Sequence, residues 1–150
     1  MELSSGSIFI DGVDVSQIGL HDLRNAIAII PQEPVLFQGT IRQNLDPFGR
    51  IKDVDLWDAL RRAHLLEGVS IPGQGQTRFH LDEVVGDEGL NFSLGQRQLL
   101  AMARALLRKP QIIVMDEATS SIDFETDEKI QETIRMQFRG ATLLVLPRLE

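Results

Sequence analysis

The sequence predicts an α/β fold organised on a parallel sheet, and two observations carry the expectation. Ile27-Ala28-Ile29-Ile30, Ile112-Ile113-Val114-Met115 and Thr142-Leu143-Leu144-Val145-Leu146 are short apolar runs bounded by polar segments. Runs without polar alternation suit strands buried on both faces, the situation in a parallel sheet. Between these runs apolar residues recur at helical spacing over much longer stretches, so strands are separated by helices rather than by hairpin turns.

The elements follow in chain order. Ser7-Ile8-Phe9-Ile10 leads into Asp11-Gly12, a tight-turn pair, and then into Val13-Asp14-Val15, which reads as a hairpin. Turn chemistry accounts for the two aspartates better than metal ligation does. Leu20 to Ala26 is a short helix, and Pro31 stops the strand that follows it. Asp53 to Leu66 is helical, with Asp53 and Asp55 in the first turn, Val54, Trp57 and Leu60 as an apolar stripe, and Arg61, Arg62 and His64 near the end. Trp57 reads as core rather than as a ligand platform. His64 reads as a solvated or helix-end charge, since no second ligand stands at metal spacing. Residues 68–80 are the most loop-like segment, and Gly73-Gln74-Gly75-Gln76-Thr77-Arg78 falls short of a dinucleotide fingerprint because it lacks a third glycine. Thr126 to Phe138 is the last helix, with Ile130, Ile134 and Phe138 four residues apart. The mostly helical stretch 39–107 is thus inserted, as a separate subdomain, between the first two strands.

Composition narrows the function classes. A net charge of −7, with no Lys/Arg-rich run, argues against a nucleic-acid partner. The absence of cysteine removes disulfides, zinc-thiolate sites and thiol catalysis. No apolar stretch approaches the roughly 20 residues of a membrane helix, so any membrane association is expected to come through other polypeptide.

Two segments carry the chemistry. Ile112 to Met115 ends at Asp116-Glu117, and strands of an open α/β sheet present their carboxyl ends to the ligand crevice. The plainer alternative is that the acidic pair merely ends a core strand and starts a solvated turn. The neighbouring segment weighs against it. Ser93-Leu94-Gly95-Gln96-Arg97-Gln98 opens a helix whose apolar face holds Leu99, Leu100, Ala103, Leu106 and Leu107. Ser93 is an N-cap, and a helix N-terminus with free N–H groups is an anion site. Gly95 lets backbone approach a phosphate closely.

On these residues the chain resembles the nucleotide-binding domain of an ATP-binding cassette transporter over nearly all of its 150 residues. Ser93 to Gln96 match the family's signature motif, with Leu94 replacing its usual first glycine. Ile112 to Asp116 match the Walker B strand, Glu117 the catalytic glutamate, Ser120 to Asp123 the D-loop, and Pro31-Gln32-Glu33-Pro34-Val35-Leu36-Phe37 the Q-loop. Thr40-Ile41-Arg42-Gln43-Asn44-Leu45-Asp46-Pro47-Phe48 and Leu94 are similar to the second cassette of the multidrug-resistance-associated (C) branch. The resemblance implies a P-loop NTPase-like sheet with an inserted helical subdomain, and ATP and Mg²⁺ as cofactors. It implies catalytic roles for Glu117 and Gln32, a metal role for Asp116 and Gln32, and ATP contacts from Ser93, Gly95, Gln96 and Asp123. Its implied partners are a second nucleotide-binding domain and transmembrane domains, which would place the chain at the cytoplasmic face of a membrane.

Two family features are missing from these residues. No Gly-x-x-x-x-Gly-Lys-Ser/Thr occurs, and Pro147-Arg148-Leu149 stands where the switch histidine is expected, while His21, His64 and His80 lie elsewhere. The expectation is therefore an incomplete domain, inactive in isolation, with apolar strand edges left unpaired. Two further readings stay open: a non-catalytic cassette that binds and regulates an intact one, and a degenerate gene product.

Overall fold

In the computed structural model, Asp11 and Gly12 both take positive φ, 49° and 79°, which is the turn that matches the twist of a two-residue hairpin. β1 (Phe9–Ile10) therefore folds back as antiparallel β2 (Val13–Asp14), as the sequence predicts. The structure describes residues 5–66, 79–116 and 122–146. α1 (Leu20–Ala26) runs straight into β3 (Ile27–Ile30).

β3, β6 (Ile112–Asp116) and β7 (Thr142–Leu146) form the expected parallel sheet, with β6 in the middle. Its two faces differ. Ala28, Ile30, Ile113 and Met115 are buried, whereas Ile29, Val114 and Leu144 line up across the other face, with Ile29 68% and Leu144 50% exposed. The expectation of strands buried on both faces therefore holds for one face only: unbroken apolar runs make both faces apolar, but they do not supply the element that covers them. β3 and β7 are the edge strands among the described residues, with Val145 and Leu146 of β7 also exposed, whereas β6 is paired on both sides and shows no unpaired edge.

The described residues between β3 and β6 hold three α-helices joined by loops and a short ladder, so less of this stretch is helical than the sequence predicts. Thr40 opens α2 (Ile41–Leu45) with a capping box, its Oγ1 accepting the Gln43 N–H at 3.2 Å while Gln43 Oε1 accepts the Thr40 N–H at 2.9 Å. A two-residue ladder also lies here, β4 (Gly39–Thr40) antiparallel to β5 (Val84–Val85), too short for any periodicity to reveal. α3 (Asp53–Arg62) is shorter than the predicted 53–66, because His64 takes a φ of 57° and the helical pattern cannot continue through it. The inward face of α3 is Leu56, Ala59 and Leu60, continued by Ala63, while Val54 points to solvent at 68% exposure. Trp57 is half-buried against the core, as expected. The glycine-rich run 73–78 lies outside the described residues.

α4 (Leu94–Arg108) is the pivot of the fold. It buries Gln98, Leu99, Leu100, Ala101, Met102, Ala103, Ala105 and Leu106, and packs against α2, α3, β3 and α5 (Phe124–Gln137). Sheet and helices share one apolar cluster through Ile30, Leu36, Ile41, Leu60, Leu100, Ile113 and Ile130. α5 starts two residues before the predicted Thr126, because Asp123 is its cap. Ile130 and Phe138 are buried and Ile134 half-buried, as the four-residue spacing predicts.

Candidate functional site

Parallel pairing of Ile30 with Met115 sends the chain after β3 and the chain after β6 out of the same end of the sheet. Asp116 ends β6 exposed, and Gln32, two residues beyond β3, is half-buried. The structure thus brings these two sequence-predicted residues to one edge, at the carboxyl ends of adjacent strands. A carboxylate and an amide oxygen are hard donors, suited to Mg²⁺. No group of three or more acidic or histidine side chains converges among the described residues, so such an ion would need ligands from a phosphate or from water. Glu117, Ser120 and Ser121 lie outside the described residues.

Ser93 caps α4 in the predicted manner. Its Oγ accepts the Gln96 N–H at 3.1 Å, and Gln96 Oε1 accepts the Ser93 N–H at 2.9 Å. The box satisfies one free donor of the first turn, leaving the N–H groups of Leu94 and Gly95 without an intrahelical acceptor, at the positive end of a 15-residue helix. Ser93 is exposed and Leu94 and Gln96 are half-buried, while Gly95 is buried, so this end is open on the Ser93 side.

Asp123 caps α5 in the same way, its Oδ1 accepting the Thr126 N–H at 3.0 Å. That hydrogen bond holds the Asp123 carboxyl below the usual carboxylate range. The two capped ends touch. A Cβ placed on Gly95 would lie 2.5 Å from Thr126 Cγ2, closer than any real contact. The sequence assigns Gly95 to the approach of a phosphate; the structure gives the place of its missing side chain a protein neighbour.

Three polar residues hold the Gln32 segment, and sequence reasoning missed all three. Gln98 is fully buried and its Nε2 donates to Pro31 O at 3.4 Å. Arg104 Nη1 donates to Val35 O at 3.1 Å, its Nε donates to Asn44 O at 2.7 Å, and its guanidinium lies over the Phe37 ring at 5.7 Å. Burial pulls the Arg104 pKa below the ordinary arginine value. Buried Asn44 accepts the Phe37 N–H at 2.8 Å and donates to Phe37 O at 2.7 Å and to Thr40 O at 2.9 Å. The available signal was a glutamine and an arginine falling within the apolar face of α4. Beside this clamp runs a groove of about 290 Å³ lined by Pro31, Val35, Phe37, Pro47, Arg104 and Arg108.

His64 is half-buried rather than solvated, with its Nε2 3.7 Å from Glu132 Oε2 on α5. No helix among the described residues is long and apolar enough to cross a membrane.

Comparison with known proteins agrees with the motifs. The family model described as "ABC transporter" matches residues 1–120. The chain is 57% identical over 155 residues to the ABC-type transporter cicA of Emericella nidulans, covering 97% of this chain and 11% of that protein. It is 52% identical over 157 residues to the oligomycin resistance ATP-dependent permease YOR1 of Saccharomyces cerevisiae, with coverage of 97% and 11%. It is also 53% identical over 146 residues to ATP-binding cassette sub-family C member 3 of Rattus norvegicus, with coverage of 97% and 9%. The chain thus spans about a tenth of the length of the curated relatives it matches.

Proposed function

We propose, since the chain belongs to the ABC transporter family, that it is part of the ATP-binding and hydrolysing domain of a transmembrane exporter, resembling a C-branch second cassette. The stretch 39–107 is the helical subdomain of that domain. The observation that carries the reading is the shared exit of Gln32 and Asp116 from adjacent parallel strands, with the capped, exposed end of α4 as a separate anion site.

In this reading Asp116 and Gln32 hold Mg²⁺, which when bound neutralises phosphate charge and orients the nucleotide. Glu117 is the general base that takes a proton from the attacking water, and Gln32 positions that water. The α4 end offers Ser93, Gly95 and Gln96 to the ATP of a second nucleotide-binding domain through N–H donors and the helix dipole, with Asp123 at the same interface. The Gln32 segment, clamped to α4 beside an apolar groove, is where transmembrane domains dock and sense the nucleotide. The membrane location follows from those domains. Residue types at the α4 end fit ATP rather than nucleic acid, because one capped helix terminus offers a point anion site and the sequence, at a net charge of −7, holds no Lys/Arg-rich run.

The test uses the complete polypeptide that carries this segment. Asp116→Asn should raise the Mg²⁺ concentration needed for half-maximal hydrolysis by at least about tenfold, while thermal stability stays near that of the parent, because Asp116 is exposed at a strand end. An unchanged Mg²⁺ dependence would remove Asp116 from the metal site.

A further inference from the structure

Gly95 needs no special backbone torsion. Its φ is outside the left-handed region, where several other residues of this chain do lie, so an alanine would fit its conformation. Glycine also disfavours a helix relative to alanine. What forbids a side chain is space: Thr126 Cγ2, Cβ and Oγ1 would stand 2.5, 3.1 and 3.2 Å from a Cβ on Gly95. One rotation of Thr126 puts its Cβ hydrogen where Cγ2 stands but carries Cγ2 to the place of Oγ1, about 3.2 Å away, while its Cβ, fixed by the backbone, stays at 3.1 Å. Full relief therefore also requires α4 and α5 to move apart by a few tenths of an ångström.

The backbone that would move is the part bearing Asp123. Thr126 is the third residue of α5, and its N–H is the donor that Asp123 Oδ1 accepts at 3.0 Å. Gly95 is the second residue of α4, between Ser93 and Gln96, whose side chains close the capping box. The contact thus joins the first turns of two helices, and behind it each turn is held to its own cap by a hydrogen bond.

We infer that Gly95 and Thr126 form a steric key that fixes the position of Asp123 relative to the anion-facing end of α4, so that Thr126 is a positioning residue for the surface the two ends share. This rests on the proposed role of that surface in binding nucleotide. The key explains the glycine by an internal neighbour, and so it predicts that a fault at Gly95 can be corrected at Thr126.

The experiment uses the complete polypeptide carrying this segment, with Gly95→Ala, Thr126→Ala and the double variant. Turnover is counted per bound nucleotide, with KM for Mg-ATP and the midpoint of thermal unfolding measured beside it. Gly95→Ala should lower kcat at least about tenfold with KM changed less than about threefold, and lower the midpoint by about 3–8 °C. Thr126→Ala removes the two side-chain atoms at 2.5 and 3.2 Å and leaves the Cβ, which needs only a small adjustment. The double variant should therefore recover kcat to within about threefold of the parent and regain most of the lost midpoint. Should Gly95→Ala alone fail to fold, recovery of folded, active protein in the double variant is the same rescue.

A double variant as impaired as Gly95→Ala would overturn the key and return the glycine to phosphate approach. A Gly95→Ala protein with parental kcat per bound nucleotide, altered only in stability, would reduce the contact to packing and overturn the positioning role. The thermal midpoints read the contact without reference to nucleotide. Rescue of the midpoint beside an unchanged Mg²⁺ dependence in Asp116→Asn would therefore place the failure in the functional reading, not in the key.

Discussion

Asn44→Ala tests the clamp on the Gln32 segment. Asn44 is 3% exposed and spends its whole amide on holding others: one bond from Phe37 N–H, one each to Phe37 O and Thr40 O, and one from the Arg104 guanidinium. A neutral bond contributes about 0.5–1.5 kcal/mol net and one to a charged partner about 1.5–3 kcal/mol. Two effects reduce the loss. Phe37 is 67% exposed, so water can reach its backbone, and Arg104 keeps its bonds to Asn44 O and Val35 O. The expected net cost is about 2–4 kcal/mol, a fall in the unfolding midpoint of roughly 5–12 °C for a domain of this size class. The same energy should speed amide exchange at Phe37 by roughly 30- to 700-fold where exchange proceeds through local opening. The assay is a thermal scan of the purified polypeptide, with hydrogen exchange followed over residues 35–40. A midpoint within about 2 °C of the parent, with unchanged exchange at Phe37, would show that the segment is held by something other than Asn44.

A second expectation concerns pH. The Thr126 N–H lowers the Asp123 pKa, so the cap's contribution is complete above the unfolded value of about 3.9 and is lost as pH falls through the lower folded value. Amide exchange at Thr126, corrected for its intrinsic pH dependence, should accelerate severalfold in Asp123→Ala at neutral pH and only below about pH 4 in the parent, while Asp123→Asn keeps the cap. Loss of protection in the parent at pH 5–6 would contradict the assignment. The isolated 150-residue chain should bind Mg-ATP weakly. A helix end offers about 0.3–1 kcal/mol through its dipole, against the roughly 8 kcal/mol of micromolar affinity, so micromolar binding by calorimetric titration would refute this.

Long, strongly patterned elements were legible in the sequence, and short or tertiary ones were not. The parallel sheet follows from three apolar runs, and α4 follows from Ser93 and the apolar face behind it, because capping and burial are local consequences of residue type. The β4–β5 ladder is set by two residues on each strand, too few for a period to show. The extra turn assigned to α3 was wrong because helical composition continues to Leu66, whereas the backbone turns left-handed at His64, which composition does not signal. At the candidate site, Ser93 was legible as a cap and Asp116 as the end of a strand, whereas Gln32 and Asp123 were singled out through the family resemblance, and the cap that Asp123 makes on α5 was not foreseen. Gln98, Arg104 and Thr126 were not found, since each acts by touching a segment distant in sequence, and Asn44 was not, since the loop that brings Phe37 back to it has no pattern of its own. The glycine at 95 was singled out from sequence, but the neighbour that gives it a packing reason became visible only once α5 was in place.

The claim that this chain supplies the hydrolytic side of an ATP site is tested most directly at Glu117, whose role rests on its place after the Asp116 strand. In the complete polypeptide, Glu117→Gln keeps the side chain's shape and removes its basic carboxylate. Mg-ATP binding should stay within about threefold of the parent, while hydrolysis falls by at least about 100-fold. Equal loss of binding and turnover, or turnover at the parental rate, would contradict the assignment of Glu117 as the base and with it the hydrolytic reading of this edge of the sheet.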